Sequence, residues 1–172
     1  VFEQLHEVLS AYGTLKEIDH KRYSLFYLLS YADKGVNQQN IKVEINQRDF
    51  GSTYQLLSYL GIGMQVISRP DMFAHKLVAM QERLGQTNRD IYDVHFFLNQ
   101  QWEINPAIIK IRTGLELVEF LDLCIEQLSA WSDRSVLAGI GELLDNKQKA
   151  WVKGHLKQDV LFLLRLKRES YT

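Results

Sequence analysis

Cysteine and proline are scarce in this 172-residue chain, and each scarcity excludes a class of protein. Cys124 is the only cysteine, so no intrachain disulfide can form, and a reducing compartment such as the cytoplasm is expected. The prolines, Pro70 and Pro106, are too few for a proline-rich linker. The histidines are scattered and form no zinc-binding spacing with the cysteine. The chain is therefore expected to fold around an apolar core, without a disulfide or structural zinc.

Long apolar runs and a strong net charge are also missing. No run approaches the about 18 apolar residues of a membrane span, and Glu3, His6 and Glu7 interrupt the apolar pattern of a signal peptide. The formal net charge of −1 argues against a general polyanion binder. Positive charge gathers near the end of the chain, which indicates either an anionic partner or two solvated helix faces, and the second is favoured. The basic residues concerned are Lys147, Lys149, Lys153, Lys157, Arg165, Lys167 and Arg168.

The first 68 residues predict a short helix and a small mixed sheet. The helix is expected over Phe2–Tyr12, where apolar residues recur on one side and Gly13 ends the pattern. In residues 40–46 apolar and polar side chains alternate, which is typical of a strand with one buried face. Further strands are expected at 15–22, 24–31 and 62–68, with a turn at Asp33-Lys34-Gly35.

From Pro70 onward the apolar residues recur at helical spacing. Pro70 suits a first helical position, where its missing N–H costs nothing, and Gly85 ends that helix. Thr87–Asp90 and Thr113–Glu116 have the form of capping boxes and are expected to open the next two helices. Two more are expected near 135–144 and 155–168. The fold class is therefore α+β, with a sheet region at 1–68 and a helical region at 69–172 packed as one unit with it.

Two of these helices carry charged residues beside their apolar faces. Lys76 and Arg83 are seven residues apart and lie on nearly one line of the first helix. The next helix is apolar on nearly all sides and is predicted to be buried, yet it carries Arg89, Asp90 and Asp93. Because buried carboxylates need cationic partners, the five side chains are predicted to converge, with Glu44 facing the same cleft near Lys76. Such groups can also neutralise triphosphate oxygens, hold Mg²⁺ or position a nucleophile.

Each of these residues also has a simpler structural interpretation, which spacing alone favours. Asp90 could cap its own helix with Thr87, and Asp93 could pair with Arg89. Glu44 lies on the polar face of its strand and could simply face water. Ion-pair networks of this kind bury charges without any function.

The residues themselves resemble a known family. Ser68–Leu77, then Arg83, then Arg89-Asp90-Ile91-Tyr92-Asp93 resemble the AbiEii/AbiGii-type nucleotidyltransferase toxin family. In that family a strand leads into a proline-led helix with a lysine, an arginine follows within two turns, and the next helix opens with Arg-Asp-x-x-Asp. Residues 41–45 resemble the preceding strand, so the likeness covers mainly residues 40–98.

The resemblance implies a polymerase-β-like nucleotidyltransferase core. It implies Mg²⁺-dependent transfer of a nucleotide from a nucleoside triphosphate to RNA, expected to be tRNA, by a toxin of a toxin–antitoxin or phage-defence system. An antitoxin protein is then a further expected partner, and no membrane is expected. By residue match, Lys76, Arg83 and Arg89 would bind the substrate, Asp90, Asp93 and Glu44 would be catalytic, and Glu44 would also be a metal ligand.

One departure from the family is serious. The family's Gly-Ser turn and the following Asp-x-Asp strand, whose aspartates hold the metal ions, have no counterpart here. Gly51-Ser52 is the only Gly-Ser pair, and it follows the Glu44 strand, which is the wrong order. With valine at position 1, this favours a chain that lacks the catalytic amino-terminal piece over a degenerate relative. The chain alone is then expected to be inactive.

Two other functions stay open. The first is a non-catalytic helical module that binds an antitoxin or RNA. The second is a metal-dependent nuclease, which ranks last because Lys42 precedes Glu44, the reverse of the Glu-x-Lys order which that chemistry needs. An upstream Gly-Ser turn with Asp-x-Asp would separate the transferase from the binding module.

Overall fold

The computed structural model describes residues 2–31 and 39–171, and the chain divides into two units, Val1–Asp49 and Phe50–Thr172. The sequence placed the boundary after its last strand, whereas the structure places it before a β-hairpin that belongs with the helices. The turn expected at Asp33-Lys34-Gly35 lies outside the described residues. Packing of the two regions as one unit stays a prediction.

The first unit consists of a helix and a three-stranded antiparallel sheet. Helix α1 (Phe2–Ser10) is followed by β1 (Thr14–Lys21), β2 (Ser24–Tyr31) and β3 (Gln39–Asn46), in the sheet order β1-β2-β3. The three strands predicted here are confirmed, with ends that differ by no more than one residue. Alternation located the third of them, because one face of the sheet is buried.

The two faces of this sheet differ in chemistry. Leu25, Tyr27 and Leu29 of β2 are buried on one face. There α1 packs against the sheet: the Phe2 ring stacks on Tyr27 with centroids 5.8 Å apart, and the Tyr27 hydroxyl donates to the Phe2 carbonyl at 3.2 Å. Glu44 and its charged neighbours lie on the opposite face, so the polar face of the sheet is open.

The second unit begins with a β-hairpin. Strands β4 (Tyr54–Tyr59) and β5 (Ile62–Ile67) pair antiparallel, and Leu60 and Gly61 join them with φ values of 51° and 79°, as in a type I′ turn. β4 was not predicted, and the strands expected to form one mixed sheet lie in two antiparallel sheets of the described residues. Residues 53–68 contain no charged side chain. The exposed apolar residues of this hairpin include Tyr54, Leu56, Tyr59, Leu60, Ile62 and Met64.

The rest of the second unit is helical, which confirms the α+β class. Its helices share a core built around Phe73, Leu77, Ile91, Phe120 and Leu164, all nearly or fully inaccessible. No helix among the described residues is long and apolar enough to cross a membrane. The helices are α2 (Arg69–Glu82), α3 (Arg89–Asn99), α4 (Pro106–Thr113), α5 (Leu117–Ala130), α6 (Asn146–Trp151) and α7 (Lys157–Glu169), with a π-turn at Val152–Leu156 between the last two.

The helix predicted near residues 135–144 is replaced by two 3-10 turns, Asp133–Ser135 and Gly141–Leu143. Gly139 between them adopts a φ of 77°, which a right-handed helix does not allow. The buried Asn88 side chain also donates to the Ser135 carbonyl at 2.7 Å. That carbonyl is engaged by a distant residue, so the segment forms an irregular connection in which Val136 and Ile140 are buried.

The helix starts differ from the predicted capping boxes. Asn88, not Thr87, is the N-cap of α3, and it makes no side-chain capping bond. Thr113 is the last residue of α4, and α5 has Glu116 as its N-cap. The Glu116 N–H donates to the Glu119 carboxylate at 3.0 Å, so a box exists there, three residues later than predicted.

Candidate functional site

Four of the five charged residues predicted to converge do so, where α2 and α3 face each other. Lys76 Nζ lies 3.0 Å from Asp90 Oδ1 and 2.7 Å from Asp93 Oδ2. Arg83 Nη2 lies 2.7 Å from the other Asp90 oxygen, as an ion pair that is not aligned as a hydrogen bond. The side chains form one network in which the Asp90 carboxylate lies between two cations.

The apolar faces of the two helices fix this arrangement. Phe73 of α2 and Phe97 of α3 meet edge to face with ring centroids 5.5 Å apart, and Leu77 and Ile91 are buried beside them. Residues three, four or seven apart share a helix face. The spacing from Lys76 to Arg83, and from Asp90 to Asp93, therefore brings the charges together at the border of the core.

Burial makes the pairing necessary. The Asp90 side chain is only 3% exposed, so its charge needs compensation from Lys76 and Arg83. Burial by itself lowers the pKa of Lys76, but the hydrogen bonds to Asp93 and Asp90 outweigh it and raise that pKa above its usual range. Lys76 is therefore an ammonium at neutral pH. Two of its three N–H donors are engaged by the carboxylates, and one is left for a ligand.

Arg89 does not join the network. It is exposed at the first turn of α3 and makes no ion pair within residues 2–31 and 39–171. α3 is also not buried on nearly all sides as predicted, because it packs on α2 and α7 and leaves Phe96 51% exposed. The prediction that Arg89 contacts the other four charged residues was therefore wrong. Its role in substrate binding stays a prediction.

Glu44 belongs to the first unit, on the open face of β3. Its carboxylate pairs with Lys42 at 2.8 Å, and both side chains are more than half exposed. The hydrogen bond and the charge of Lys42 lower the pKa of Glu44. Its expected approach to Lys76, its catalytic role and its role as a metal ligand stay predictions.

The described residues do not assemble a magnesium site by themselves. No group of three or more histidine, cysteine, aspartate or glutamate side chains among them is arranged to hold a metal ion. Both oxygens of Asp90 face cations, and Asp93 is bound to Lys76. The donor set present here therefore does not fit Mg²⁺, and the carboxylates of α3 instead act on Lys76 and Arg83.

Part of the basic tail has structural roles. Lys157 donates to the carbonyls of Ser129 and Trp131 at the end of α5. Lys167 pairs with Glu103 at 3.1 Å, and Arg168 pairs with Asp122 through two hydrogen bonds. These three cations tie α7 to its neighbours. The remaining basic residues of the tail that make no ion pair in the described part of the chain are Lys147, Lys149, Lys153 and Arg165.

A buried carboxylate that the sequence did not single out joins the hairpin to the helices. Asp71 is 1% exposed. Its Oδ2 accepts from the N–H and hydroxyl of Thr53, and its Oδ1 accepts from the Asn105 amide. Burial by itself raises the pKa of Asp71, but hydrogen bonds from Thr53, Asn105 and Ser68 outweigh it and lower that pKa. Its position three residues after Ser68, in a first helical turn, was the available signal.

A second group that sequence reasoning missed contains a serine and a histidine. Ser52 Oγ lies 2.8 Å from His75 Nε2, and Arg112 lies 3.2 Å from His75 Nδ1. Because arginine only donates, Nδ1 accepts, and the ring proton lies on Nε2, facing Ser52. Burial and then the charge of Arg112 lower the pKa of His75. The ring thus donates to the serine and does not act as its base.

Comparison with known proteins agrees with this architecture. A protein from H. pylori, assigned as a nucleotidyltransferase, is 18% identical with a TM-score of 0.53, over 98% of this chain and 75% of that one. JHP933 from Helicobacter pylori is 20% identical with a TM-score of 0.43, over 97% of this chain and 74% of that one. No curated protein matches the chain. The first of these structures confirms a nucleotidyltransferase-like fold.

The family assignment comes from the sequence. The model of the nucleotidyl transferase AbiEii toxin, of type IV toxin–antitoxin systems, matches residues 1–142. That match includes the whole network of Lys76, Arg83, Asp90 and Asp93, and it extends well beyond the residues 40–98 that carried the resemblance. The chain therefore belongs to the AbiEii nucleotidyl transferase toxin family.

Proposed function

We propose that this chain is part of a toxin that transfers a nucleotide from a nucleoside triphosphate to RNA, with tRNA as the expected acceptor. The triphosphate binds where α2 and α3 meet. The observation that carries this proposal is the Lys76 ammonium, which two carboxylates orient while one N–H donor is left over. As in other toxin–antitoxin systems, an antitoxin is the expected protein partner.

The charges of the site suit a polyphosphate. Lys76, Arg83 and Arg89 supply three positive charges, and Asp90 and Asp93 supply two negative charges, so one positive charge is in excess. Arg83 is 48% exposed and Arg89 is exposed, so both heads can reach a ligand in solvent. Nucleotide transfer depends mainly on positioning and on neutralising phosphate oxygens, which cations held in place perform well.

Asp90 and Asp93 act in this proposal as positioning residues. Both Asp90 oxygens lie against cations, so this carboxylate holds Lys76 and Arg83 instead of touching the substrate. A merely structural ion pair would stabilise the fold without changing nucleotide affinity. Asp93→Asn should leave the buried Asp90 pairs in place but loosen Lys76, and so weaken triphosphate binding about 3–10-fold. This is less than the full worth of a charged hydrogen bond, because the variant also removes a negative charge beside the ligand.

The side chains present indicate which step of the reaction this chain performs. The described residues bind and orient the triphosphate, and no Asp-x-Asp pair occurs in this sequence to serve the metal-dependent step. We therefore expect this 172-residue chain to bind a nucleoside triphosphate and to transfer no nucleotide on its own.

Binding is the direct test. Labelled ATP, GTP, CTP and UTP are titrated separately against the chain and against the variants Lys76→Ala and Arg89→Ala. Each variant should bind the preferred nucleotide at least about 5-fold more weakly, since each removes a charge that contacts phosphate. Lys147→Ala, which removes an exposed charge from α6, is the matched control and should bind as the parent does.

Arg89→Ala distinguishes a lost phosphate contact from a destabilised fold. Arg89 has no ion pair in the described part of the chain, so its replacement should leave the melting temperature unchanged. Unaltered binding by both Lys76→Ala and Arg89→Ala would contradict the proposed triphosphate site. A labelling assay with Mg²⁺ and total tRNA tests the second part: metal-dependent labelling by this chain alone would contradict the expected inactivity.

A further inference from the structure

An open recess lies at one end of the three-stranded sheet, in the first unit. Its volume is about 330 Å³, which lies at the lower end of the range for small-ligand sites. It is formed where β1 turns into β2 and where β3 ends, so three neighbouring strands contribute to it. Among the lining residues are Lys21, Arg22, Tyr23, Glu44, Asn46 and Arg48.

The recess carries an excess of positive charge. Lys21 pairs with Asp19 at 2.8 Å, and Glu44 pairs with Lys42 at the same distance. Neither Arg22 nor Arg48 belongs to an ion pair in the described part of this unit. Two guanidinium groups without a carboxylate partner therefore face one small volume, in a chain whose overall charge is close to zero.

An aromatic ring holds the two arginines. The Arg22 and Arg48 guanidinium carbons lie 5.0 Å and 5.5 Å from the centroid of the Tyr23 ring, which is 43% exposed. Cation–π contacts of this kind restrain long side chains without consuming their N–H donors. The donors stay available for an anionic ligand, and the planar groups present faces on which a base can stack.

The backbone around the ring is also fixed. The Gln47 N–H donates to the Tyr23 carbonyl at 2.8 Å, which closes the end of β3 onto the β1–β2 turn. The Arg48 N–H donates to the Asn46 side-chain oxygen at 2.9 Å. The arginines therefore project from anchored backbone, and their spacing is a property of the sheet.

We propose that this recess binds single-stranded RNA, with a phosphate bound by Arg22 and Arg48, an unpaired base stacked on the outer face of a guanidinium that lies over Tyr23, and the Glu44 carboxylate accepting from a ribose 2′-hydroxyl. Guanidinium forks match phosphate oxygens. Aromatic and arginine planes stack unpaired bases, and the 2′-hydroxyl is the group that distinguishes RNA from DNA. That this RNA is the acceptor strand rests on the proposed nucleotidyl transfer, whereas the binding itself does not.

RNA affinity without nucleotide or metal tests the site. A fluorescent single-stranded RNA of about 12 nucleotides is titrated against the chain over a range of salt concentrations, with anisotropy as the readout. Arg22→Ala/Arg48→Ala should bind at least 10-fold more weakly at low salt. The slope of its log–log salt dependence should fall by about 0.7, for the one phosphate that the variant no longer binds.

A control variant that removes two positive charges elsewhere distinguishes binding in the recess from general electrostatic attraction of RNA. Lys153→Ala/Arg165→Ala removes two exposed positive charges from the helical unit and should weaken binding far less. Arg22→Lys/Arg48→Lys keeps the charge but removes the planar groups, so its affinity should lie between those of the parent and the alanine variant. An equal weakening of RNA binding in the two alanine variants would overturn the proposal.

Two further variants test the ring and the carboxylate. Tyr23→Phe should bind as the parent does, and Tyr23→Leu should bind at least about 5-fold more weakly, because the ring and not its hydroxyl holds the two guanidinium planes in place. Glu44→Ala should reduce the preference for RNA over DNA of the same sequence. Parental affinity in Tyr23→Leu, or an unchanged RNA-to-DNA ratio in Glu44→Ala, would refute that part of the assignment. Failure of triphosphate binding with intact RNA binding would count against the proposed function alone.

Discussion

The Asp71 carboxylate accepts two hydrogen bonds from Thr53, one from its N–H at 2.6 Å and one from its hydroxyl at 2.9 Å. This pair joins the strand entering the hairpin to the first turn of α2. It explains why the hairpin belongs with the helices, although the sequence placed it with the sheet. A short polar contact thus helps to join the hairpin to the helices.

Asp71→Asn should destabilise the chain by about 2–3 kcal/mol at pH 7, the cost of weakening several hydrogen bonds to one buried charge. Chemical denaturation of the parent and the variant measures this. Glu126→Gln, on the exposed side of α5, is the control and should change little. A destabilisation no larger in Asp71→Asn than in this control would contradict the assignment.

The same carboxylate gives a pH dependence. The pKa of Asp71 is lower in the fold than its usual value of 3.8, so its stabilisation is complete above that value and is lost as pH falls towards the folded pKa. The stability difference between the parent and Asp71→Asn should therefore shrink below about pH 4. A difference that stays constant down to about pH 2.5 would show that the carboxylate is not the cause.

The coupling between Lys76 and Asp90 can be measured with a double-mutant cycle. Lys76→Met keeps the side-chain stem but leaves Asp90 with Arg83 alone, and should cost about 3 kcal/mol. In the double variant with Asp90→Asn the two destabilisations should not add, with an interaction energy above about 1 kcal/mol. The same cycle on the exposed pair Lys42 and Glu44 is the control and should show a much smaller coupling than the buried pair. Additive destabilisation would place the two side chains apart.

Cys124 offers a probe of folding. It is 1% exposed, and burial raises the pKa of its thiol to about 12. Since the thiolate is the reactive form, a thiol reagent at pH 8 should react at least about 100-fold more slowly with the native chain than with the denatured chain. A stopped-flow or absorbance assay in buffer and in denaturant measures both rates. Fast reaction in buffer would show that the core around α5 opens readily.

The basic tail should separate into structural and solvated residues. Lys157→Ala should lower the melting temperature, because Lys157 donates to the Ser129 and Trp131 carbonyls at the end of α5. Lys153→Ala/Arg165→Ala should leave it unchanged, yet weaken RNA binding about 2–3-fold at low salt and flatten its salt dependence. Triphosphate binding should not change. If RNA affinity and salt slope are unaltered, these charges only keep the helices solvated.

The network of α2 and α3 could be predicted because it depends on local spacing. The seven-residue interval from Lys76 to Arg83 and the three-residue interval from Asp90 to Asp93 fix the helix face of each charge. The buried Asp90 carboxylate then needs the cations of α2 as partners. Strand β3 was predictable for a similar reason, since one buried face imposes alternation, whereas β2 was predicted from its short apolar and aromatic run. Helix α4 also left a signal, Asn105-Pro106 at its start and Gly114 at its end, which was overlooked.

Other features depend on partners distant in sequence. Asn88 holds the Ser135 carbonyl from 47 positions away, and no local pattern predicts that contact. β4 lacks alternation because neither of its faces is buried, so the usual strand signal is absent. Arg22 and Arg48 meet over Tyr23 only after three strands have paired, so the recess had no signature in the sequence.

The uncharged hairpin also bears on how the chain behaves at high concentration. Across residues 53–68 no side chain repels a second molecule, and the outer edges of β4 and β5 offer backbone groups to any extended peptide. A net charge of −1 gives little repulsion between molecules, and a salt such as sulfate strengthens the association of exposed apolar surface. Self-association of the chain should therefore increase with ionic strength, so colloidal stability is best sought in dilute buffer, the condition that also favours contacts with phosphate.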